Sequence, residues 1–192
     1  MLLSIAYFPP IEYFAYLAKY SCFVDRTEKY RKQTWRNRCT ILTANGPMDL
    51  RFPIIHNGNY RIDEVLVDYS VPWVRQTRYA IETAYYASPF FEYYRDSLFS
   101  ILDSCPATLW ELDSRLTEYF CSKIGVRPPL SVGGVPDGEE DMRDKLSPKQ
   151  PSGYVGREYW QVFRERFGFV PGLSVMDLLF NEGPESLGYL MI

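Results

Sequence analysis

The chain opens with a short apolar run, a proline pair and a helical periodicity, a pattern typical of a strand followed closely by a helix. Residues 2–8 are apolar apart from one serine, and Pro9-Pro10 separates them from the helical periodicity of residues 11–19. A second short apolar run, at residues 21–25, follows at the distance expected of a strand–helix–strand unit. The pattern therefore predicts that the sheet begins with parallel strands.

The next part of the chain predicts antiparallel strands. Residues 39–42 and 50–55 form two largely apolar runs around Asn45-Gly46-Pro47, whose Asn-Gly step is a signal for a hairpin turn. Residues 62–68 alternate apolar and polar positions only in part, which predicts an edge or half-buried strand.

Helical signals dominate the middle of the chain. Helical periodicity begins after Pro72 and again at Ser88-Pro89, and Thr108 with Glu111 is a capping-box signature for a third helix that Gly125 closes. The short apolar step at residues 130–132 then predicts a return to the sheet.

The C-terminal part of the chain predicts two more helices. Residues 157–167 have an aromatic, amphipathic pattern that ends at Gly168. Ser174 and Asp177 form a second capping box, which opens a short helix and accounts for the aspartate.

These elements predict one α/β domain over residues 1–192. We expect a mixed sheet flanked by helices, with a Rossmann-like N-terminal half that carries a β-hairpin and with a helical middle and C-terminus. Residues 133–153 are polar, contain several Gly and Pro residues and follow no period, so they predict a mobile loop within the domain. Such a loop is either a disordered insertion or a functional lid.

Composition excludes some function classes. The formal charge is -3 and the pI is about 5.3, which argues against nucleic acid as a partner. No run approaches the roughly 18 apolar residues of a membrane span, so we expect no membrane insertion. The apolar N-terminus has no basic leader, which predicts a cytoplasmic protein.

Cysteine and histidine usage restricts the chemistry further. The four cysteines are widely spaced, without a CxxC pair, so we expect buried, reduced thiols and no metal site. His56 is the only histidine and follows an apolar run, which favours a solvent-facing position at a strand end over a catalytic role.

The strongest local signal is a basic segment between Arg26 and Arg38. Six of its thirteen residues are basic, Glu28 is its one acidic residue, and Tyr30 and Trp35 stand among the cations. Guanidinium groups bind phosphate or carboxylate, and neighbouring aromatic rings can stack on a base or a sugar. The segment therefore indicates either a site for a nucleotide-linked sugar or another phosphate-bearing small molecule, or a solvated basic face.

Two further segments are candidate sites. The loop between Tyr7 and Phe14 lies where a parallel sheet would bind a ligand, although it has no glycine-rich phosphate cradle and its aromatic residues also suit a core. Near the C-terminus, Asn181 suits a helix end, whereas Glu182 has no structural explanation in the sequence and is our candidate acid–base residue.

Several ordered motifs resemble the WbqC-like family of bacterial proteins. They are Tyr7-Phe8-Pro9-Pro10-Ile11-Glu12-Tyr13-Phe14, Tyr30-Arg31-Lys32-Gln33-Thr34-Trp35-Arg36-Asn37-Arg38, Trp73, Ala84-Tyr85, Ser88-Pro89-Phe90-Phe91-Glu92-Tyr93-Tyr94 and Leu173-Ser174-Val175-Met176-Asp177-Leu178-Leu179-Phe180-Asn181-Glu182-Gly183-Pro184. The family is named for a member encoded among O-antigen genes, so the resemblance implies a role in surface-polysaccharide biosynthesis. It carries over Tyr7, Arg36-Asn37-Arg38 and Asn181-Glu182-Gly183-Pro184 as candidate positions. Similar proteins have a histidine in the long loop where this chain has Ser147, which weakens the idea of a loop histidine as catalyst.

A second likeness concerns the N-terminal turn. The strand, Phe-x-Pro loop and helix are similar to those of nucleotidylyltransferases, which implies a Rossmann-like architecture. The histidines of their phosphate-binding motif are replaced here by Ile11-Glu12-Tyr13-Phe14, so the likeness does not extend to their chemistry.

We therefore expect a cytoplasmic transferase acting on a nucleotide-linked sugar, with acyl or aminoacyl transfer to an amino sugar as the reaction. In this hypothesis Lys32, Arg36 and Arg38 hold the phosphates, while Trp35 or Tyr30 stacks on the ligand. Tyr7, Asn37 and Asn181 complete the binding residues, and Glu182 takes a proton from the attacking amine. The alternative is a non-enzymatic binding or scaffold protein for polysaccharide-synthesis enzymes. The sequence identifies no cofactor.

Overall fold

A computed structural model describes residues 1–55, 58, 61–149 and 154–191. Its strands and helices, in chain order, are β1 (Leu2–Leu3), α1 (Ile11–Lys19), β2 (Phe23–Asp25), β3 (Arg38–Thr43), β4 (Gly46–Arg51), β5 (Ile54–Ile55), β6 (Leu66–Val67), α2 (Trp73–Tyr85), α3 (Phe91–Asp103), α4 (Leu109–Ile124), β7 (Leu130–Val132), α5 (Arg164–Phe167), α6 (Val175–Glu182) and α7 (Ser186–Leu190). His56 and residues 150–153 of the predicted loop lie outside the described residues.

The N-terminal strands form a three-stranded parallel sheet in the order β1-β2-β7. Leu2 pairs with Phe23, and Phe23 pairs with Leu130 on its other side. The α1 helix connects β1 to β2, so the predicted strand–helix–strand unit and the predicted return to the sheet are both confirmed. As a consequence, the carboxyl ends of three strands meet at one edge.

The predicted hairpin is confirmed, and it forms a sheet of its own. Strands β3 and β4 pair antiparallel from Arg38 with Arg51 to Thr43 with Gly46, which leaves Ala44 and Asn45 in the turn. Gly46 has a φ of +104°, a conformation that glycine adopts without strain. Strands β5 and β6 form another antiparallel pair. The α/β class is therefore confirmed, with the described strands divided among three small sheets flanked by helices.

Helices α2, α3 and α4 follow one another; α2 packs against the hairpin of β3 and β4, and α3 packs against α2 and α4. The capping box of α4 is confirmed, because Thr108 Oγ1 accepts from Glu111 N at 3.1 Å and Glu111 Oε2 accepts from Ala107 N at 3.1 Å. Gly125 ends the helix with a φ of +86°. The α3 helix begins at Phe91, two residues after the proline that the sequence suggested as its first residue.

The helix predicted over residues 157–167 is wrong for most of its length. Only α5 is helical there, and the chain before it runs through irregular structure. Tyr159 and Gln161 are buried while Trp160 between them is exposed, which is the alternation of an extended segment. Both buried side chains form hydrogen bonds with Asp177, which explains why the segment does not form a helix.

Residues 140–142 of the predicted loop run alongside β1. Leu2 N donates to Glu140 O at 2.8 Å, and Met142 N donates to Leu2 O at 2.9 Å. Met142 is buried in the core. These contacts fix this part of the segment beside the parallel sheet, while the mobility predicted for the whole of 133–153 stays a prediction.

Aromatic and aliphatic side chains from all layers form the core. Tyr7, Phe8, Phe14, Phe120 and Phe180 are among the largest buried side chains. No helix of the described residues is long and apolar enough to cross a membrane.

Gly183 offers a test of this packing. It has a φ of +53°, and a Cβ built on it would lie 2.6 Å from ring carbons of Phe90. We predict that Gly183→Ala destabilises the protein by more than about 2 kcal/mol, since backbone strain and steric overlap add. Urea unfolding measures the change.

Gly188 is the matched control. It lies in α7, and an added Cβ would meet no atom within 4 Å. Gly188→Ala should be neutral or stabilise by roughly 0.5–1 kcal/mol. Equal effects of the two substitutions would contradict the described position of Gly183 against Phe90.

Candidate functional site

The carboxyl ends of the parallel strands are the natural place to look for a ligand site. In open α/β sheets ligands bind beyond these ends, where loops rather than strands supply the side chains. Ser4 follows β1, Glu28 lies shortly after β2, and Gly134 follows β7. The loop after β2 carries the buried Glu28 and Arg36, and we call the meeting point of the three loops the sheet edge.

A buried ion pair lies at the sheet edge. Arg36 Nε donates to Glu28 Oε1 at 3.1 Å and Arg36 Nη2 donates to Glu28 Oε2 at 2.7 Å, while Nη2 also donates to Ser4 Oγ at 2.7 Å. Only 2% of Arg36 is exposed. Burial raises the pKa of Glu28 more than the charge of Arg36 lowers it. The pair therefore ties the exit of β1 to the basic segment in a poorly solvated environment.

A second ionic contact comes from the segment that follows β7. Arg143 Nη1 lies 3.2 Å from Asp25 Oδ2 and 3.8 Å from Glu28 Oε2. Burial alone would raise the pKa of Asp25, but hydrogen bonds from Thr27 and Gly134 and the charge of Arg143 outweigh it, so the pKa is lowered. Asp25 is therefore ionised, and Arg143 covers the sheet edge as its counter-ion.

Asp113 is the third acidic group near the sheet edge. It lies in the middle of α4 with 0% exposure, and neither carboxylate oxygen has a hydrogen-bond partner among the described residues. Burial raises the pKa of this carboxyl well above its ordinary value, and the charge of Arg36 offsets the effect only in part. A buried acid without partners is unusual, because desolvation of such a group costs several kcal/mol.

The structure brings Tyr7 and the basic segment together. Tyr7 N donates to Trp35 O at 2.8 Å, one residue before the buried Arg36. The ring of Tyr7 is fully buried against Phe8 and Phe52, so only movement would expose it to a ligand. Tyr30 is half-buried, and burial raises its pKa, with Arg36 and Asp113 acting on the phenol in opposite directions.

The remaining residues of the basic segment differ in their exposure. Lys32 is exposed. Asn37 donates from Nδ2 to Phe52 O at 3.1 Å, and Arg38 donates to Gln33 O and Asp49 at 3.3 and 3.4 Å. Asn37 and Arg38 therefore have local structural partners, and the phosphate-binding roles predicted for this segment stay predictions.

The C-terminal candidates Asn181 and Glu182 lie at the end of α6. The start of α6 contacts the proline loop, since Val175 N donates to Pro9 O at 2.9 Å. Glu182, two turns later, accepts from Trp160 N at 3.1 Å, and Asn181 Nδ2 donates to Asp177 O at 2.7 Å. Among the described residues, no hydrogen bond or ion pair joins Glu182 to the basic segment.

Asp177 has a different role from the one its sequence position suggests. Ser174 caps α6 through Met176 N, but the Asp177 carboxylate does not complete a capping box. Instead, its Oδ2 accepts from Tyr159 Oη at 2.5 Å and from Gln161 Nε2 at 3.0 Å, and Tyr85 lies beside it. Burial outweighs these hydrogen bonds and raises its pKa to about 6.

Sequence reasoning overlooked Asp113 and Arg143 entirely. A signal for Asp113 was present, because it and Thr117 share the apolar face of α4 with Leu112 and Leu116. A carboxylate and a hydroxyl at core positions of an amphipathic helix indicate a buried polar site. Arg143 gave no such signal, since its contact with Asp25 spans 118 residues.

The ion pair at the sheet edge predicts a specific pattern of stabilities. We expect Arg36→Leu to destabilise the protein by about 3–5 kcal/mol, because the Glu28 charge is left buried without its bidentate partner. The double substitution Arg36→Leu with Glu28→Leu should cost less than the sum of the two single substitutions. Strict additivity in urea unfolding would contradict the pairing.

Asp177 predicts a pH dependence of stability. Its folded pKa of about 6 lies above the ordinary 3.8, so the folded state binds the proton more tightly than the unfolded chain. The contribution is present below about pH 4 and is lost as the pH rises through 6, a change of about 3 kcal/mol. Asp177→Asn should flatten this part of the profile, measured by urea unfolding from pH 4 to 7. A variant profile parallel to that of the wild type would contradict the assignment.

Comparisons with known proteins identify a family and a relative of this chain. The model of the WbqC-like protein family matches residues 6–134, which include Tyr7, the basic segment, Asp113 and all of β7. The chain is 29% identical to the uncharacterized protein Rv1507c of Mycobacterium tuberculosis, over 96% of this chain and 94% of that protein. No solved structure matches. Because the family match covers most of the chain, the chain belongs to the WbqC-like protein family.

Proposed function

We propose that the protein is a cytoplasmic transferase of surface-polysaccharide biosynthesis that acts on a nucleotide-linked sugar. The reaction in this proposal is the transfer of an acyl or aminoacyl group to an amino sugar, and the ligand binds at the sheet edge. The proposal combines the family membership with the chemistry of the residues that meet there.

One observation carries the proposal, namely the convergence of the loop after β1 with the basic segment. The backbone bond from Tyr7 N to Trp35 O and the side-chain bond from Arg36 to Ser4 join the two segments directly. The sequence indicates the loop between Tyr7 and Phe14 as a ligand site because it follows a strand of the parallel sheet. It indicates the basic segment as a ligand site because of its positive charge. Two independent signals thus support the same location.

The exposed cations of the basic segment form the rim of the proposed site. Lys29, Arg31 and Lys32 are exposed, and Arg31 pairs with Asp144 of the segment after β7. In the proposal Lys32 contacts the diphosphate, and the half-buried rings of Tyr30 and Trp35 stack on the base or the sugar. Arg36 acts as a positioning residue, because its guanidinium is already bonded to Glu28.

The test is a binding measurement with Lys32 variants. Titration calorimetry with uridine diphosphate and with a uridine-diphosphate-linked sugar should show binding to the wild type. Lys32→Ala should weaken it about tenfold, the effect of losing one charge-assisted contact. Arg127→Ala, an exposed cation after α4, is the matched control and should bind as the wild type does. An equal loss of affinity in both variants would show that only the net charge of the protein matters, which contradicts a specific site at Lys32. Wild-type affinity in both variants would also contradict the proposed site.

A second candidate function, a non-enzymatic scaffold, is favoured by a different surface. Tyr79 on α2, Tyr86 directly after α2 and Tyr93 on α3 are 71%, 72% and 79% exposed. Tyr79 also lines a groove of about 620 Å³ together with Tyr69 and Arg75. Exposed tyrosines are enriched at protein interfaces. Under this alternative, Tyr79→Ala and Tyr86→Ala abolish association with a polysaccharide-synthesis enzyme, while Lys32→Ala leaves it unchanged.

A further inference from the structure

The segment that follows β7 places an acid, Asp144, beside the basic segment. Asp144 lies in a tight turn over residues 142–146, in which Lys145 N and Leu146 N both donate to Met142 O at 3.0 Å. Met142 anchors this turn, because its side chain is buried and its N–H donates to a carbonyl of β1 at 2.9 Å. The backbone therefore fixes the position of Asp144, while its side chain is exposed.

The carboxylate of Asp144 contacts the guanidinium of Arg31. Nη1 of Arg31 donates to Oδ1 of Asp144, and the two side chains are 59% and 77% exposed. The neighbouring Arg143 contacts Asp25 at 3.2 Å and Glu28 at 3.8 Å. One short stretch of chain thus connects the ion pairs at the sheet edge with an exposed cation of the basic segment.

More positive charge surrounds this contact than one carboxylate neutralises. Lys29 and Lys32 are exposed, and neither forms an ion pair within the part of the chain that the structure describes. Ion pairs as exposed as that of Arg31 with Asp144 contribute little free energy, because water and salt screen them. A diphosphate carries more charge than a carboxylate and binds guanidinium groups through several oxygens. It is therefore the stronger partner for Arg31.

We propose that Arg31 is a phosphate-binding residue and that Asp144 is its internal competitor. In the proposal the Asp144 carboxylate and the phosphate groups of a ligand bind the same guanidinium, so that the ligand displaces the carboxylate. This inference rests on the proposed function and deepens it. It identifies a further contact to the diphosphate of the nucleotide-linked sugar, and it identifies the side chain that weakens that contact.

The exchange requires only a local change. The turn around Asp144 is held by backbone hydrogen bonds, and Arg143 is held by Asp25 at 3.2 Å and by Asp141 at 2.6 Å. None of these contacts involves the Asp144 carboxylate. The Asp144 side chain can therefore rotate away from Arg31 while the segment stays in place beside β1.

The experiment measures the binding of uridine diphosphate and of inorganic pyrophosphate to the full-length chain by titration calorimetry. Arg31→Ala should weaken the binding of both probes about tenfold, because one charge-assisted contact is lost. Asp144→Asn should strengthen the binding of both by about two- to fivefold, the equilibrium factor that corresponds to an exposed ion pair. Both side chains are exposed, so neither substitution disturbs the core.

Asp137→Asn is the matched control for the change in charge. Asp137 lies in the same segment after β7, is exposed and forms no ion pair among the residues that the structure describes. Its substitution removes the same negative charge as Asp144→Asn, and the affinity for both probes should equal that of the wild type. An equal gain in the two variants would show that only net charge matters, which overturns the competition.

The double variant Arg31→Ala with Asp144→Asn tests whether the two residues act through one another. If Asp144 weakens binding by occupying Arg31, its substitution has no effect once Arg31 is absent, so the double variant should bind like Arg31→Ala. A gain as large as that in the wild-type background overturns the proposal. Wild-type affinity in the single variant Asp144→Asn overturns it as well.

The outcome is separable from that of the proposed function. Binding of uridine diphosphate that weakens in Lys32→Ala but is unchanged in Asp144→Asn overturns the competition alone. Binding of pyrophosphate that strengthens in Asp144→Asn, without any binding of uridine diphosphate, supports the competition and overturns the nucleotide-linked substrate. Absence of binding of both probes, in the wild type and in Asp144→Asn, overturns both proposals.

Discussion

The bidentate pairing of Arg36 with Glu28 is the contact on which the arrangement of the sheet edge depends. Through Ser4 it also fixes the chain leaving β1, so one guanidinium holds three stretches of backbone. Buried ion pairs contribute little net stability, because desolvation offsets most of the attraction. Their value lies in geometry, since a misplaced partner would leave a charge unpaired in the interior.

This constraint separates the basic segment into two parts. Arg36 is used inside the fold, whereas Lys29 and Lys32 remain exposed at the rim. In the sequence the segment is a single cluster of positive charge. In the structure it therefore divides into a buried arginine, Arg36, that stabilises the fold and exposed lysines on the surface. The segment after β7 adds to the same arrangement, because Arg143 pairs with Asp25 at the end of β2 and Asp144 pairs with Arg31 of the basic segment.

Local patterns predicted the elements whose formation depends on neighbouring residues. The parallel unit, the hairpin and the capping box of α4 follow from short apolar runs, a turn and a cap, and the structure confirms them. The helix predicted over residues 157–167 failed because Tyr159 and Gln161 bond to Asp177, a partner that periodicity cannot reveal. Tertiary hydrogen bonding prevailed over local propensity there.

The candidate site could be predicted only in part for the same reason. Its charged and aromatic residues were visible as a cluster along the chain, and the fold brings that cluster to the loop containing Tyr7. Whether a given arginine is exposed or buried depends on a partner elsewhere in the fold. Asp113 shows the converse, since a polar residue on an apolar helix face was a readable sign of a buried polar site.

The most direct test of the sheet edge as the ligand site is an NMR titration that follows the four tryptophan indole N–H signals. Trp35 lies in the basic segment, whereas Trp110 lies on α4 and Trp160 in the irregular segment before α5. Addition of a uridine-diphosphate-linked sugar should shift the Trp35 indole signal in a saturable manner and leave those of Trp110 and Trp160 unchanged. A saturable titration in which the Trp35 signal stays fixed while another indole moves would contradict the account.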